Sequence, residues 1–468
     1  MKFDFVLLWS DLLIYLLLTT LVLFTVWTSR LEHWREQWAR VGQSKLGMIA
    51  LVILVAYSAV AVLDSVHFRI IQNPHSTAHK IESTQVMSLL DVLLSPLGQQ
   101  DEKTYSAPFS IYASTKTSEF IDGKLETFYP RLIFAGKYLQ SPNDKAADIF
   151  NKTVAAVAVS SIIASLLLTI FLIRFARKQK ISFFSALNKI VRGDTKIAWR
   201  EILFTTFFVI GVVCFIKGVS PYYHVFGTNK IGNDILYETI KSIRTGLIIG
   251  TLTTLVMLPF AILLGTEAGY FGGWRDDIIQ YVYTTLSSVP GVLLISASVL
   301  SLQVFISNHS EFFPTLESRA DARLLALCLI LGITSWASLC RLLRAETLKL
   351  REMDYVKAAV ALGVVNIKII WRHIIPNVMH IILITVVLDF SALVLAEAVL
   401  SYVGVGVDPI TPSWGNMINS ARLDLAREPI VWWPLCAAFI FMFILVLAAN
   451  LFADALRDAF DPRLRNEE

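Results

Sequence analysis

Asp389 and Glu397 share one apolar run of this 468-residue chain, eight residues apart and so on roughly one face of a helix. An acid in hydrocarbon costs roughly 3 kcal/mol unless paired or wetted, which makes a functional or bonded placement the default for both. Glu397 lies near the end of its run, where a structural bond to loop backbone is expected. Asp389 is deeper, and contact with a path through the membrane and pairing with a partner's helix both stay open for it. Pro290 and Gly291, in SSVPGVLL, stand inside another apolar run, where they are expected to kink a helix and open backbone groups that neighbours or water must satisfy. A path lining and a plain packing adjustment explain them equally well. Covalent chemistry has no carrier: without a Walker lysine loop, a metal-spaced His/Cys cluster or a nucleophile elbow, neither a catalytic nor a metal site is expected.

The stretch DYVKAAVALGVVNIKIIWRHIIP, Asp354 to Pro376, stands between two membrane-length apolar runs. Tyr355, Ala358, Ala359 and Leu362 recur at helical spacing and predict one apolar face on a short helix. Asp354 at its start is placed to cap free backbone N–H groups and suits the helix dipole. Gly363 follows the last periodic residue, where a left-handed residue ends a helix. A second helical run, Ile367 to His373, is expected to stop near Pro376, because proline disfavours helical backbone in the residue before it. Ala358 and Ala359 leave the first helix nearly smooth, so another protein can approach its backbone closely.

These elements must be held by something, and composition says what. At 55% hydrophobic residues and a mean hydropathy of +0.61 the chain is too apolar for an ordinary soluble protein. Several runs exceed the ~18 apolar residues that mark a membrane helix. The expected fold is an all-α polytopic membrane protein with about nine spans: Phe5–Trp27, Leu46–Val66, Val154–Ile173, Ile202–Val219, Leu247–Gly269, Ile278–Val304, Leu324–Leu343, Val378–Leu400 and Val431–Leu451. The first run is too long for a signal peptide and no small-residue cleavage site follows it, so it reads as a retained helix. The formal net charge of +4 is small, and no nucleic-acid partner follows from it. Cys214, Cys328, Cys340 and Cys436 lie in or beside apolar runs without close CxxC pairing and read as buried filler.

Charge in the loops orients the spans. Arg30, Arg35, Arg40 and Lys45 between the first two runs place that loop in the cytoplasm, and Trp34 and Trp38 suit the interface. Between the third and fourth runs stand Arg174, Arg177, Lys178, Lys180, Lys189, Arg192, Lys196 and Arg200 against the single acid Asp194. This reads as a solvated positive-inside loop, and binding to anionic lipid head groups is the alternative. The N-terminus is then outside and the C-terminus, beside Arg457, Arg463 and Arg465, inside. Four regions follow: 1–66, two spans; 67–150, an extracytoplasmic segment that is either a small folded cap or an irregular loop; 151–222, an inserted helix pair with the basic loop; and 223–468, a core whose 345–377 loop faces the cytoplasm. Gly227, Asn229, Gly232 and Asn233 predict a turn ahead of a short amphipathic helix, Ile235 to Ile243. Gly269 to Asp277 reads as a glycine-rich inner turn.

The two alanines, Gly363 and Pro376 of the 354–376 stretch resemble the EAA loop of bacterial ABC importer permeases, with Lys357 standing where that family usually carries glutamate. Three further phrases resemble those of oligopeptide and dipeptide permeases: Gly227, Thr228, Gly232, Asp234, Leu236 and Arg244; Trp336, Arg341, Arg344, Glu346 and Leu348; and LAEAVLSYVGVGVDPITPSWGNMI, Leu395 to Ile418. The closing NLFADALRDAFDPRL, Asn450 to Leu464, is similar as well. The resemblance implies a five-helix permease core in a bacterial inner membrane, paired with a second homologous permease. It also implies an extracytoplasmic substrate-binding protein, and two ATPase subunits that hold the ATP and Mg. It assigns coupling to those ATPases to Asp354, Tyr355, Lys357, Ala358, Ala359, Leu362, Gly363, Arg372 and Pro376. The glutamate's salt bridge to the ATPase does not carry over. Other readings are a transport-inactive receptor or scaffold on the same fold, or an importer of nickel, haem or another small solute. A secondary transporter would show pseudo-symmetric halves, and no such repeat is visible.

Overall fold

The computed structural model describes residues 2–28, 32–71, 86–121, 124–139, 141–313 and 315–460. Arg30, Arg463, Arg465 and the end of the closing phrase lie outside the described residues. The helices run α1 Trp9–Thr28, α2 Glu32–Gln43, α3 Lys45–Asp64, α4 Leu89–Leu93, α5 Ser95–Gly98, α6 Lys145–Gln179, α7 Phe183–Arg192, α8 Trp199–Val219 and α9 Ile235–Phe271. They continue with α10 Gly273–Ser288, α11 Gly291–Asn308, α12 Leu316–Arg351, α13 Asp354–Ala361, α14 Asn366–Ile369, α15 Ile375–Tyr402, α16 Trp414–Asp424 and α17 Trp433–Phe460. Five short strands accompany them: β1 Lys2–Val6, β2 His67–Ile71, β3 Met87–Ser88, β4 Thr117–Ile121 and β5 Lys124–Phe128.

Among the described residues eight helical runs are long and apolar enough to cross a membrane, and each overlaps an expected span. The 20-residue α1 stands where the ninth is expected. The protein is thus an all-α polytopic membrane protein. Local signals set many of the ends. Ser44 accepts from the Gly47 N–H at the start of α3, Thr315 from Ser318 at α12 and Ser413 from Asn416 at α16. All four cysteines are free, Cys328 and Cys340 fully buried.

Four boundaries differ from expectation. The first apolar run starts at Trp9, because KFDFV alternates polar and apolar residues and forms β1, which pairs antiparallel with β2 through Phe5 opposite Phe68. The amphipathic helix at Ile235 and the core helix after it are one helix, α9, since nothing before Gly246 breaks the pattern. The helix after it starts at Gly273 rather than Ile278: the chain turns only at Gly272 and Gly273, both at positive φ, so Asp276 and Asp277 are helical. Pro290 does not kink a single helix but separates two. α10 stops at Ser288, Val289 is extended as the residue before proline prefers, and Pro290 is the N-cap of α11.

The chain forms two compact units. One holds the initial strand, Trp38–Thr245 and Pro412–Ala448; the other holds Leu8–Gln37, Gly246–Thr411 and the end of α17. In the first, α6 packs along α8 and α3 also contacts α8. Residues of the 67–150 segment are built into this unit's core, where Leu97 and Ile111 join Val219, Tyr223, Val225 and Leu236. A buried ionic cluster ties that segment to the turn before α9. The His224 Nδ1 lies 2.6 Å from the Asp234 carboxylate, and its Nε2 lies 3.6 Å from Glu102 Oε1. Glu102 in turn accepts the backbone N–H groups of Ile133, Phe134 and Ala135 at 2.7, 2.8 and 3.2 Å. At Gly232 an added Cβ would lie 1.7 Å from the Glu102 carbonyl oxygen, so no larger residue fits.

In the second unit α12 is the hub: α1, α10, α11, α13 and α15 all contact it. One core joins Leu324, Leu327 and Leu331 of α12 to Ile248, Ile249 and Leu252 of α9, Ile295 and Val299 of α11 and Leu393 of α15. A second joins Trp336, Leu339, Cys340 and Leu343 to Met257, Ala261, Ala268, Tyr283 and Val378.

Candidate functional site

The 354–377 segment is a helix, a tight turn and a second helix. Asp354 is the first helical residue of α13 and suits the dipole, but Met353 is the N-cap and no side chain caps that end. The other end is closed as expected. Gly363 sits at φ +75, its N–H bonds to the Val360 carbonyl at 2.9 Å, and the Val364 N–H bonds to the Ala359 carbonyl at 3.1 Å. This pair of bonds is a Schellman motif, and Val364 completes it by packing with Ala359.

The second helix does not stop at Pro376. From α14 the chain passes through a π-helical turn, Ile370–Ile374, directly into α15, with Pro376 in its first turn. The wider turn accommodates a residue that lacks an N–H and would otherwise clash with the carbonyl four residues earlier. The segment is therefore continuous with a membrane-length helix.

Two faces of the short helix have different fates. Val356 and Ala359 turn inward onto Tyr270, Ile369 and Ile374. Tyr355, Ala358 and Leu362 point away, Leu362 being 83% exposed. The expected single apolar face is thus divided, with Ala359 inside. Val365, Ile367 and Trp371 extend the outward surface, each more than half exposed. Polar contacts stiffen the unit. Tyr270 donates to Asn366 Oδ1 at 3.1 Å, and Asn377 Nδ2 donates to the Tyr355 hydroxyl at 3.2 Å and to the His373 carbonyl at 2.6 Å. Lys357 pairs with Glu352 at 3.0 Å, and this exposed contact holds the Glu352 carboxyl below its usual range. Arg372 is exposed.

Asp389 and Glu397 lie further along α15 and are not part of this surface. Glu397 is buried and accepts from the Ser401 hydroxyl at 2.7 Å. The loop beyond comes close enough to Ser401 that a Cβ on Gly406 would meet its Oγ at 1.9 Å. Asp389 is half-buried, and among the described residues it forms no hydrogen bond or ion pair. The stretch around Pro290 is exposed; near it in the chain, Ser287 Oγ accepts from the Arg341 guanidinium at 2.7 Å, and that guanidinium covers the Tyr283 ring.

Two features that support the segment escaped the sequence reading. Gly265 and Gly269 of α9 lie four apart against α12, where added Cβ atoms would meet the Cys340 carbonyl at 2.8 Å and Thr347 Cβ at 2.6 Å. The spacing of two small residues was the available signal. Arg344 grips Asp276 through two bonds of 2.5 and 2.6 Å and keeps that carboxyl below its usual range, fastening α10 to α12.

Residues 257–466 match the family described as binding-protein-dependent transport system inner membrane component. The oligopeptide transport system permease protein OppC of Mycobacterium tuberculosis is 34% identical over 243 residues, covering 52% of this chain and 77% of that protein. The glutathione transport system permease protein GsiD of Pectobacterium atrosepticum is 31% identical, covering 52% and 74%. The dipeptide transport system permease protein DppC of Lactococcus lactis is 31% identical, covering 51% and 64%. With the membrane-spanning core and the ordered phrases in place, this chain belongs to the binding-protein-dependent transport system inner membrane component family and is a permease subunit.

Proposed function

We propose that this chain is the permease subunit of an ATP-driven importer of di- or oligopeptides, forming the path with a second homologous permease. Substrate arrives from an extracytoplasmic binding protein, and of the two ATPase subunits that drive transport one docks on the cytoplasmic 354–377 segment. The observation that carries the reading is the outward surface of Tyr355, Ala358, Leu362, Val365, Ile367 and Trp371 on a segment otherwise fixed by the Schellman turn and the Tyr270–Asn366 bond. Large apolar side chains left exposed on a segment fixed in this way suit a protein-docking surface. Lys357 is engaged by Glu352, so docking rests on the apolar face rather than on a carboxylate at that position. Closure of the ATPases pushes α13; the closed turn passes the push to α15, and contacts of α13 with α12 pass it to the hub. The permease then rocks between inward-open and outward-open states.

The test is purification from native membranes with ATP hydrolysis assayed with and without the co-purifying binding protein. Recovery of two ATPases and a second permease, with hydrolysis stimulated by the loaded binding protein, is the expected result, and the bound ligand identifies the substrate. A peptide supports the reading, whereas nickel, haem or another solute replaces the substrate class. Purification without ATPases, together with no ATPase cross-link from Ala358→Cys, overturns it in favour of a receptor or scaffold.

A further inference from the structure

We infer that the α6–α8 insert, which lies outside the part of the chain matched by the family, docks onto the anionic lipid head groups of the leaflet where α6 and α8 meet. The apolar part of α6, Val154 to Ile173, is about 30 Å long and just spans a bilayer core. The helix then continues as Arg174–Gln179, already at head-group level, and ends at Lys180 with φ 55. α8 re-enters from Trp199. Between them α7 is not free to swing away. Ala186 and Ile190 are buried, and Phe183 and Leu187 pack with them against Leu172 and Ala176 of α6 and Trp199 and Leu203 of α8. That packing holds the ten-residue helix at the bilayer boundary.

What α7 presents there has two parts. Phe184 and Val191, seven residues apart on one flank, are 77% and 59% exposed. A large apolar pair left outside a packed core fits the acyl boundary better than water. Arg174, Arg177, Lys178, Lys180, Lys189 and Arg192 are all exposed, and Asp194 is the one acid between residues 174 and 200. Among the described residues these cations form no ion pair, and their one side-chain hydrogen bond runs from Lys189 to the neutral Gln179 at 3.3 Å, which leaves their charge uncompensated there. Apolar flank and cationic face together complement a lipid carrying negative charge, with phosphate at the cations and acyl carbons at Phe184. The surface concerns the insert alone and does not depend on what the permease carries.

The full chain is reconstituted in phosphatidylcholine bilayers carrying a trace of spin-labelled phosphatidylglycerol or spin-labelled phosphatidylcholine, and the motionally restricted fraction is read for each. The expected result is a preference for phosphatidylglycerol that shrinks with salt. It falls at least about fivefold, the weight of one cation at an anionic surface, in Arg174→Gln/Arg177→Gln/Lys178→Gln/Lys180→Gln. These residues are exposed, and Lys189→Gln/Arg192→Gln gives the same direction should the fourfold variant not insert. A preference unchanged in both variants overturns the proposal. So does its abolition by millimolar glycerol phosphate, which assigns the cations to a soluble phosphate, and so does a restricted fraction in the wild type that ignores head-group charge.

Discussion

Single residues in this protein act mainly by permitting or fixing backbone. At Gly363 nothing lies within 4 Å of an added Cβ, so a substitution there meets backbone strain and not a clash. A β-branched residue in the left-handed region costs about 1–2 kcal/mol, whereas asparagine adopts it readily. Gly363→Val is therefore expected to leave the protein in the membrane while cutting uptake and stimulated ATP hydrolysis severalfold, and Gly363→Asn to keep most of both. Equal activity in the two variants removes the Schellman turn from the coupling argument. His224 permits a test by pH. Burial opposes its charged form, but Asp234 and Glu102 outweigh burial and push it up to about 9. Glu102, despite its own burial, is held below its usual range by His224 and three backbone N–H groups. Because the folded value of His224 exceeds the unfolded value near 6.5, its stabilisation is complete below about pH 6.5 and is lost as pH rises through about 9. It amounts to something on the order of 3 kcal/mol. Thermal unfolding between pH 6 and pH 10 should show this loss in the wild type and a flatter curve in His224→Gln.

Elements are joined by close approach and by paired charge, and both devices converge on α12. Gly265 and Gly269 let α9 lie against its backbone, and Arg344 fastens α10 to it. Gly269→Val is expected to force the helices apart and cost about 1–3 kcal/mol, seen as a lowered unfolding midpoint in detergent. Arg344→Lys keeps the charge but loses the two-pronged grip, so a smaller loss in the same direction is expected. A midpoint unmoved by Gly269→Val would show that α12 and α9 do not need this contact. The same scale explains two boundaries that the sequence did not yield. Pro376 looked like a stop, yet a π-helical turn absorbs it, and Pro290 looked like a kink, yet it separates two helices. Proline's missing N–H is the same in both places. What differs is the surroundings: buried Ile369, Ile374 and Ile375 flank the first, whereas the second stands in an exposed stretch.

At the scale of the molecule, orientation is the property most open to test. The cation-rich loop at α7 is expected inside and the β4–β5 hairpin outside. The native cysteines lie in apolar spans, so single introduced cysteines report cleanly. A membrane-impermeant maleimide should label Tyr129→Cys in intact cells, and Arg192→Cys only after permeabilisation; the reverse pattern inverts the topology. Membrane class, the position of the spans and the helix–turn–helix at Asp354 to His373 were legible in the sequence, because apolar run length and glycine placement are local signals. So was the turn at Gly227 to Asn233. Tertiary structure alone decided that Ala359 turns inward, that Glu102 meets His224 more than a hundred residues away, and that α7 is pinned between α6 and α8. The reason is physical: periodicity and propensity describe what a segment can bury or bend, whereas the partner that receives it is chosen by packing among residues distant in the chain.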